Sequence, residues 1–257
     1  MENKQRVLLD LFCGAGGAAR GYQLAGFKVV GVDIKPQPHC VSDGFVLMDA
    51  LKAMRVLLDG GYIKDNHGGR WYLKDFDAIH ASPPCQEYSS TRHLRNYNAA
   101  TKGYALNLRE KLIGKTRELL VESGKSWVIE NVAFAPLPDA IILCGSMFGL
   151  PIRRHRWFAS SILLFVPSPC RHVPGFYNII GGKVRGYGSF SNQTRTYVDC
   201  KGATRRREGY PGKAVGVNAF NIDWMTVNEM SESIPPIYTK YIGEQLKQYL
   251  DRAPKEQ

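Results

Sequence analysis

Short apolar runs broken by glycine, proline and acidic residues fill the first 160 positions of the chain. Val7 to Phe12, Lys28 to Val32, Phe45 to Met48, Phe76 to Ala81 and Trp127 to Ile129 are continuous rather than alternating. That is the pattern of strands covered on both faces. Between them, helical spacing predicts helices ending before Gly26, over Ala50 to Leu58 and over Leu106 to Ser123. Strand and helix in alternation predict an α/β fold with a largely parallel sheet, in which the strand ends gather on one edge. The residues brought there are Asp10 to Phe12, Asp33, Asp49, Cys85 and Glu130. Gly60 to Lys74 reads as a surface insertion, and Pro136 and Pro138 argue against a long helix after Glu130.

The alternation stops after Ile141 to Leu143 and Arg153 to Phe158. From Ala159 to Asn218 there are nine Lys and Arg against Asp199 and Glu208, interleaved with aromatics and glycines in short β-rich pieces. The stretch therefore holds seven of the chain's eleven net positive charges. Cations that track phosphates, mixed with rings that stack on bases, are what nucleic-acid surfaces use. The end reads as two helices separated by Ile234-Pro235-Pro236, the first opening at Thr226 with Glu229 three residues on. Three units are expected: residues 1–158 for catalysis and cofactor, 159–218 as a small insert, and 219–257 returning to the first.

Composition narrows the class. At 257 residues and 44% hydrophobic, the chain can bury a full core. Its apolar runs are too short to span a bilayer, its start is charged, and its six cysteines form no C-x-x-C pair. A soluble, cytoplasmic protein with reduced thiols and no membrane partner is expected. Cys170 and His172 are two metal-ligand types without a second pair, so no metal is expected.

Candidate chemistry lies at the strand ends. Cys13-Gly14-Ala15-Gly16-Gly17-Ala18-Ala19 fits G-x-G-x-x-A after a strand, a turn that lets a ligand approach the backbone, and Asp33 ends the next strand where such folds bind ribose hydroxyls. Ser82-Pro83-Pro84-Cys85-Gln86 mounts a thiol behind two prolines of restricted conformation. The polar stretch after it, including Ser89, Arg92 and His93, reads as a loop able to close over a substrate. Arg153-Arg154-His155-Arg156 offers guanidinium groups for an anion or nucleobase.

Asp10-Leu11-Phe12-Cys13-Gly14-Ala15-Gly16-Gly17, Ser82-Pro83-Pro84-Cys85-Gln86, Glu130-Asn131-Val132 and Arg153-Arg154-His155-Arg156, in that order, resemble the DNA cytosine-5 methyltransferases. The resemblance covers residues 6 to 158 well and 221 to 250 loosely. It implies a Rossmann-like, S-adenosylmethionine-dependent methyltransferase sheet, with residues 159–218 in the place of the target-recognition region. Asp10, Phe12, Gly14, Gly16, Asp33, Asp49 and Pro84 would bind S-adenosylmethionine, leaving S-adenosylhomocysteine as product. Cys85 would be the nucleophile, Glu130 would face the cytosine ring edge, and Arg154 and Arg156 would line the base pocket. Gln86, Ser89 and Arg92 would touch double-stranded DNA around a flipped base. The chain departs from the family where Ile242-Gly243-Glu244-Gln245-Leu246 stands for Ile-Gly-Asn-Ala-Val. Cytosine in RNA, or a non-catalytic DNA-binding role on the same fold, are the alternative readings. A restriction endonuclease partner is compatible with the resemblance but not indicated by any residue.

Overall fold

The computed structural model describes residues 5–85, 112–173, 176–180, 183–186, 194–198, 204–208 and 213–252. Its centre is a seven-stranded sheet built from β1 (Val7–Leu11), β2 (Lys28–Asp33), β3 (Gly44–Leu47), β6 (Ala78–Ala81), β7 (Ser126–Val132), β8 (Ile141–Leu143) and β9 (Arg156–Ser160). The spatial order is β3-β2-β1-β6-β7-β9-β8, parallel except that β9 runs against both its neighbours. The chain lays strands outward from β1 and then returns to place β6 on the other side of β1. That reversal opens a crevice beyond the carboxyl ends of β1 and β6, the position where open α/β sheets bind ligands.

Both sheet faces are covered, which explains the continuous apolar runs. On one face Leu9, Leu11, Val30, Ile79 and Ile129 pack with α2 (Ala50–Leu58) and α3 (Leu112–Glu122). The other face, with Leu8, Val29, Ala78 and Val128, packs against α1 (Gly17–Leu24) and the C-terminal α6 (Pro236–Arg252). Helices α1 and α6 touch closely because Gly21 offers no side chain. A Cβ there would lie 2.0 Å from Thr239 Oγ1 and 2.1 Å from the Pro236 carbonyl oxygen.

The expected surface insertion is an ordered hairpin of β4 (Tyr62–Lys64) and β5 (Arg70–Tyr72). Its turn is organised by buried Asp65, which accepts hydrogen bonds from the backbone of His67 and Gly69 and from Trp71 Nε1. In the basic stretch lie two antiparallel hairpins, β10 (Tyr177–Ile180) with β11 (Lys183–Gly186) and β12 (Thr194–Val198) with β13 (Thr204–Glu208). The β-rich character is as expected there, but α4 (Lys213–Phe220) is a helix that crosses the expected limit at residue 218. Thr226 caps α5 (Val227–Glu232) through a reciprocal bond set with Glu229, and Pro236 opens α6.

Candidate active site

The turn after β1 is shaped by backbone conformation. Phe12, Gly14 and Gly16 have φ of 60°, 51° and 83°, a region that glycine enters freely and phenylalanine does not. Space above Gly14 is open, whereas a Cβ on Gly16 would meet Val41 at 2.9 Å. Asp33, the last residue of β2, accepts the Gly14 N–H at 3.0 Å and the Lys35 N–H at 2.9 Å. One carboxylate therefore holds the glycine turn against the neighbouring strand end. A cradle of this kind, open at a glycine and bordered by an acid, fits a nucleoside cofactor.

Asp10 and Asp49 differ in their surroundings. Asp10 lies inside β1, fully buried, with the Ala19 backbone N–H acting on its carboxylate. Burial pushes its pKa well above the ordinary carboxylate range. Asp49 is exposed and accepts the Lys52 N–H at 2.9 Å as the N-cap of α2.

Beyond β6 the chain leaves the sheet as Ser82-Pro83-Pro84-Cys85. Asn131 on β7 donates to the Pro83 carbonyl at 2.8 Å, pinning the proline turn across the neighbouring strand. Glu130 was expected at a strand end; it sits two residues inside β7, opposite Phe158 of β9, and is 7% exposed. Arg156 lies opposite Val132, so it is the diagonal neighbour of Glu130 on the same face of the pair. Its Nε reaches Glu130 Oε1 at 3.0 Å. Arg154 is 4% exposed, donates to the carbonyls of Ile179, Ser231 and Ser233, and stacks its guanidinium on Phe220 at 5.3 Å. It thus ties the site to both β10 and the α5–α6 junction.

The electrostatics are set by burial first. Desolvation raises the pKa of Glu130, against the pull of Arg156, Arg154 and the Ser82 hydroxyl. The thiol of Cys85 is also pushed up by burial; Arg156 and Arg154 act to lower it and Glu130 to raise it. The arginines therefore act in the expected sense on Cys85 without overcoming desolvation.

A buried polar track supports Glu130 that the sequence did not disclose. Tyr22 OH lies 3.0 Å from His80 Nδ1, His80 Nε2 lies 2.9 Å from Ser82 Oγ, and Ser82 hydrogen-bonds Glu130. Burial drops the His80 pKa to about 3, so the ring is neutral and has one donor and one acceptor. The track can carry Tyr22 O–H to Nδ1, Nε2–H to Ser82 and Ser82 O–H to the carboxylate. Period-two placement of His80 and Ser82 was the available signal, since both fall on one face of the run. Gln86, Ser89 and Arg92 lie outside the described residues. Cys170 and His172, without a second pair in the sequence, meet one in the fold: Cys144 and His155.

A glycine turn after β1 and a thiol, a buried acid and two arginines on the neighbouring strands thus share one edge of a Rossmann-like α/β sheet. Residues 7–134 match the C-5 cytosine-specific DNA methylase model, and the chain belongs to that family. It is 27% identical over 168 residues to the Type II methyltransferase M.AgeI of Thalassovita gelatinovora, covering 58% of this chain and 38% of that protein. To the Type II methyltransferase M.XorII of Xanthomonas oryzae pv. oryzae it is 24% identical over 196 residues, covering 68% and 45%. The chain thus matches less than half the length of these curated relatives. Among solved structures, the fold is similar to one provisionally assigned as a DNA modification methyltransferase encoded within a prophage (E. coli), with a TM-score of 0.56 at 14% identity over 96% of this chain and 100% of that one. It is also similar to S. pombe Dnmt2 methyltransferase, with a TM-score of 0.50 at 14% identity over 96% and 100%.

Proposed function

We propose that the chain transfers a methyl group from S-adenosylmethionine to carbon 5 of cytosine in DNA, through a covalent adduct of Cys85. The observation that carries this is the convergence of Cys85, Glu130 and Arg156 beside the crevice of the sheet, with the glycine cradle on its other wall. S-adenosylmethionine, when bound, supplies an electrophilic sulfonium methyl. Phe12 would lie against its adenine and Asp33 against its ribose, with Gly14 and Gly16 giving the backbone room. Asp10, Asp49 and Pro84 complete the proposed cofactor set.

Carbon 5 of cytosine is too weak a nucleophile alone. The Cys85 sulfur adds to carbon 6, and the displaced electron pair moves into the ring towards carbon 5 and N3. Glu130 holds N3, and burial, by raising the pKa of its carboxyl, favours proton donation there. Arg156 fixes the Glu130 carboxylate and counters the negative charge of the thiolate. Once carbon 5 is methylated, a base removes its proton, the electron pair re-forms the ring double bond, and the carbon–sulfur bond breaks to return the thiolate. Cytosine must leave the duplex stack for its face to reach Cys85, at a cost of a few kcal/mol. Residues 159–218, with their excess of positive charge, are the proposed DNA-reading unit between the units 1–158 and 219–257.

The test is labelled S-adenosylmethionine with double-stranded DNA and, in parallel, folded RNA, followed by nucleoside analysis. 5-Methylcytosine in DNA is expected, and Cys85→Ala should abolish it while leaving cofactor binding intact. DNA carrying 5-fluorocytosine should form a stable adduct with Cys85, because fluorine cannot leave as a proton. Turnover by Cys85→Ala, or label in RNA alone, would overturn the assignment.

A further inference from the structure

Cys144, His155, Cys170 and His172 lie on three separate pieces of chain, yet their ligand atoms all fall within 4.8 Å of one another. The first pair is placed by sheet register. Leu143 of β8 lies opposite Arg156 of β9, so the next step outward sets Cys144 beside His155. The second pair is two residues apart in a non-helical segment that leads towards β10. Cys144 Sγ is 3.2 Å from His172 Nε2, His155 Nε2 is 3.3 Å from Cys170 Sγ, and Cys170 Sγ is 3.1 Å from His172 Nε2. The two imidazoles meet edge to face at 4.9 Å.

We propose that these four residues form a structural zinc site that clamps the segment before β10 onto the β8–β9 edge of the catalytic sheet. Two thiolates and two imidazoles are the donor set of a closed tetrahedral zinc site, and zinc bonded at about 2.3 Å to sulfur and about 2.0 Å to nitrogen separates its sulfur and nitrogen ligands by roughly 3.6 Å. The observed sulfur–nitrogen separations need an outward movement of a few tenths of an ångström to meet that value. Two thiolates neutralise the ion, so the site adds no net charge beside the arginines of the pocket. All four donors are protein side chains, so no position is left open for water or substrate, and the role is structural.

Location gives the site its consequence. His155 stands between Arg154 and Arg156, and Arg171, between the last two ligands, donates its backbone N–H to Ser146 Oγ at 3.1 Å. Close by, Ile152 and Tyr177 bridge, with the Arg153 N–H donating to the Tyr177 carbonyl at 2.9 Å. A bound ion would fix the root of the basic hairpins and the start of β9 in one step, and so the arginine that meets Glu130. Its loss would loosen that strand start without touching the cofactor cradle.

The experiment is metal analysis of the full chain purified without chelator, together with cobalt(II) substitution. About one zinc per chain is expected, and cobalt should give the intense visible bands and thiolate charge-transfer absorption of a tetrahedral Cys2His2 centre. Cys170→Ser and His172→Gln, both near the surface, should each lose the metal and the spectrum, while His67→Gln and Cys85→Ala keep both. Wild-type chain that holds zinc no better than Cys170→Ser after equilibration with nanomolar free zinc would overturn the proposal. So would an octahedral cobalt spectrum of the wild type, a readout that stands even where a variant fails to fold.

Discussion

Arg156→Met isolates the contact on which the candidate site turns, because methionine keeps much of the volume and removes the charge. The Arg156 and Glu130 side chains are only 14% and 9% exposed and meet at 3.0 Å, so solvent screens them little. At that distance an effective dielectric near 20 gives a gross attraction of about 5.5 kcal/mol. Removing one partner of a buried pair typically costs about 3–5 kcal/mol, mostly as the penalty of a stranded charge. Glu130 can escape part of that penalty by taking up a proton. Its folded pKa already lies above the unfolded value, so the folded chain binds this proton more tightly and stability falls as pH rises from the ordinary glutamate range through the folded pKa. In Arg156→Met the folded pKa rises further and the window of loss extends upward. Urea unfolding should therefore show a loss of about 3 kcal/mol at pH 8 that is smaller at pH 5.5, falling towards the roughly 1 kcal/mol of a lost hydrogen bond as Glu130 takes up its proton. Alkylation of Cys85 should slow in the same variant, since Arg156 is the strongest influence lowering its pKa. Equal losses at the two pH values, or no coupling in a cycle with Glu130→Gln, would refute the reasoning.

Three further outcomes are expected. Asp49→Ala should cost about 1 kcal/mol through loss of the α2 cap, measured by thermal unfolding; an unchanged KM for S-adenosylmethionine would remove Asp49 from the proposed cofactor set. Gly21→Ala should cost about 3 kcal/mol or more, the upper end for overpacking, because the added methyl meets backbone at 2.1 Å, and loss of soluble protein or a depressed urea midpoint would register it. Tyr22→Phe should cost about 1–3 kcal/mol by leaving His80 Nδ1 without its buried partner, and a pH–rate profile unchanged from wild type would confine the track to a structural role.

Local chemistry was legible in the sequence. Ala50 to Leu58 is the α2 helix, Trp127 to Ile129 lies in β7, and Thr226 with Glu229 forms the expected reciprocal cap, because apolar spacing and capping residues act over a few positions. The glycine turn was legible for the same reason: strand, small residues and helix follow one another directly. Helix α4 was not, since Lys213 to Phe220 carries a glycine and two valines, weak helix formers, and the packing of Val217, Ala219 and Phe220 with Ile179 and Met230 decides the outcome.

What escaped the sequence is what sheet register creates. Glu130 and Arg156 are 26 positions apart, and nothing local says that one sits diagonally across an antiparallel pair from the other. The same pair of strands explains the Cys/His cluster. Once β9 runs against β7 to place Arg156 on Glu130, its register against β8 leaves Cys144 and His155 adjacent at the next step outward. The proposed catalytic ion pair and the proposed metal clamp are thus two ends of one strand pairing. A one-residue slip of β9 would turn Arg156 away from Glu130 and carry His155 out of the cluster at the same time. If the clamp holds that register, stripping zinc should raise the susceptibility of the Glu130–Arg156 coupling to urea before the main unfolding transition, while Cys85→Ala should leave the register untouched.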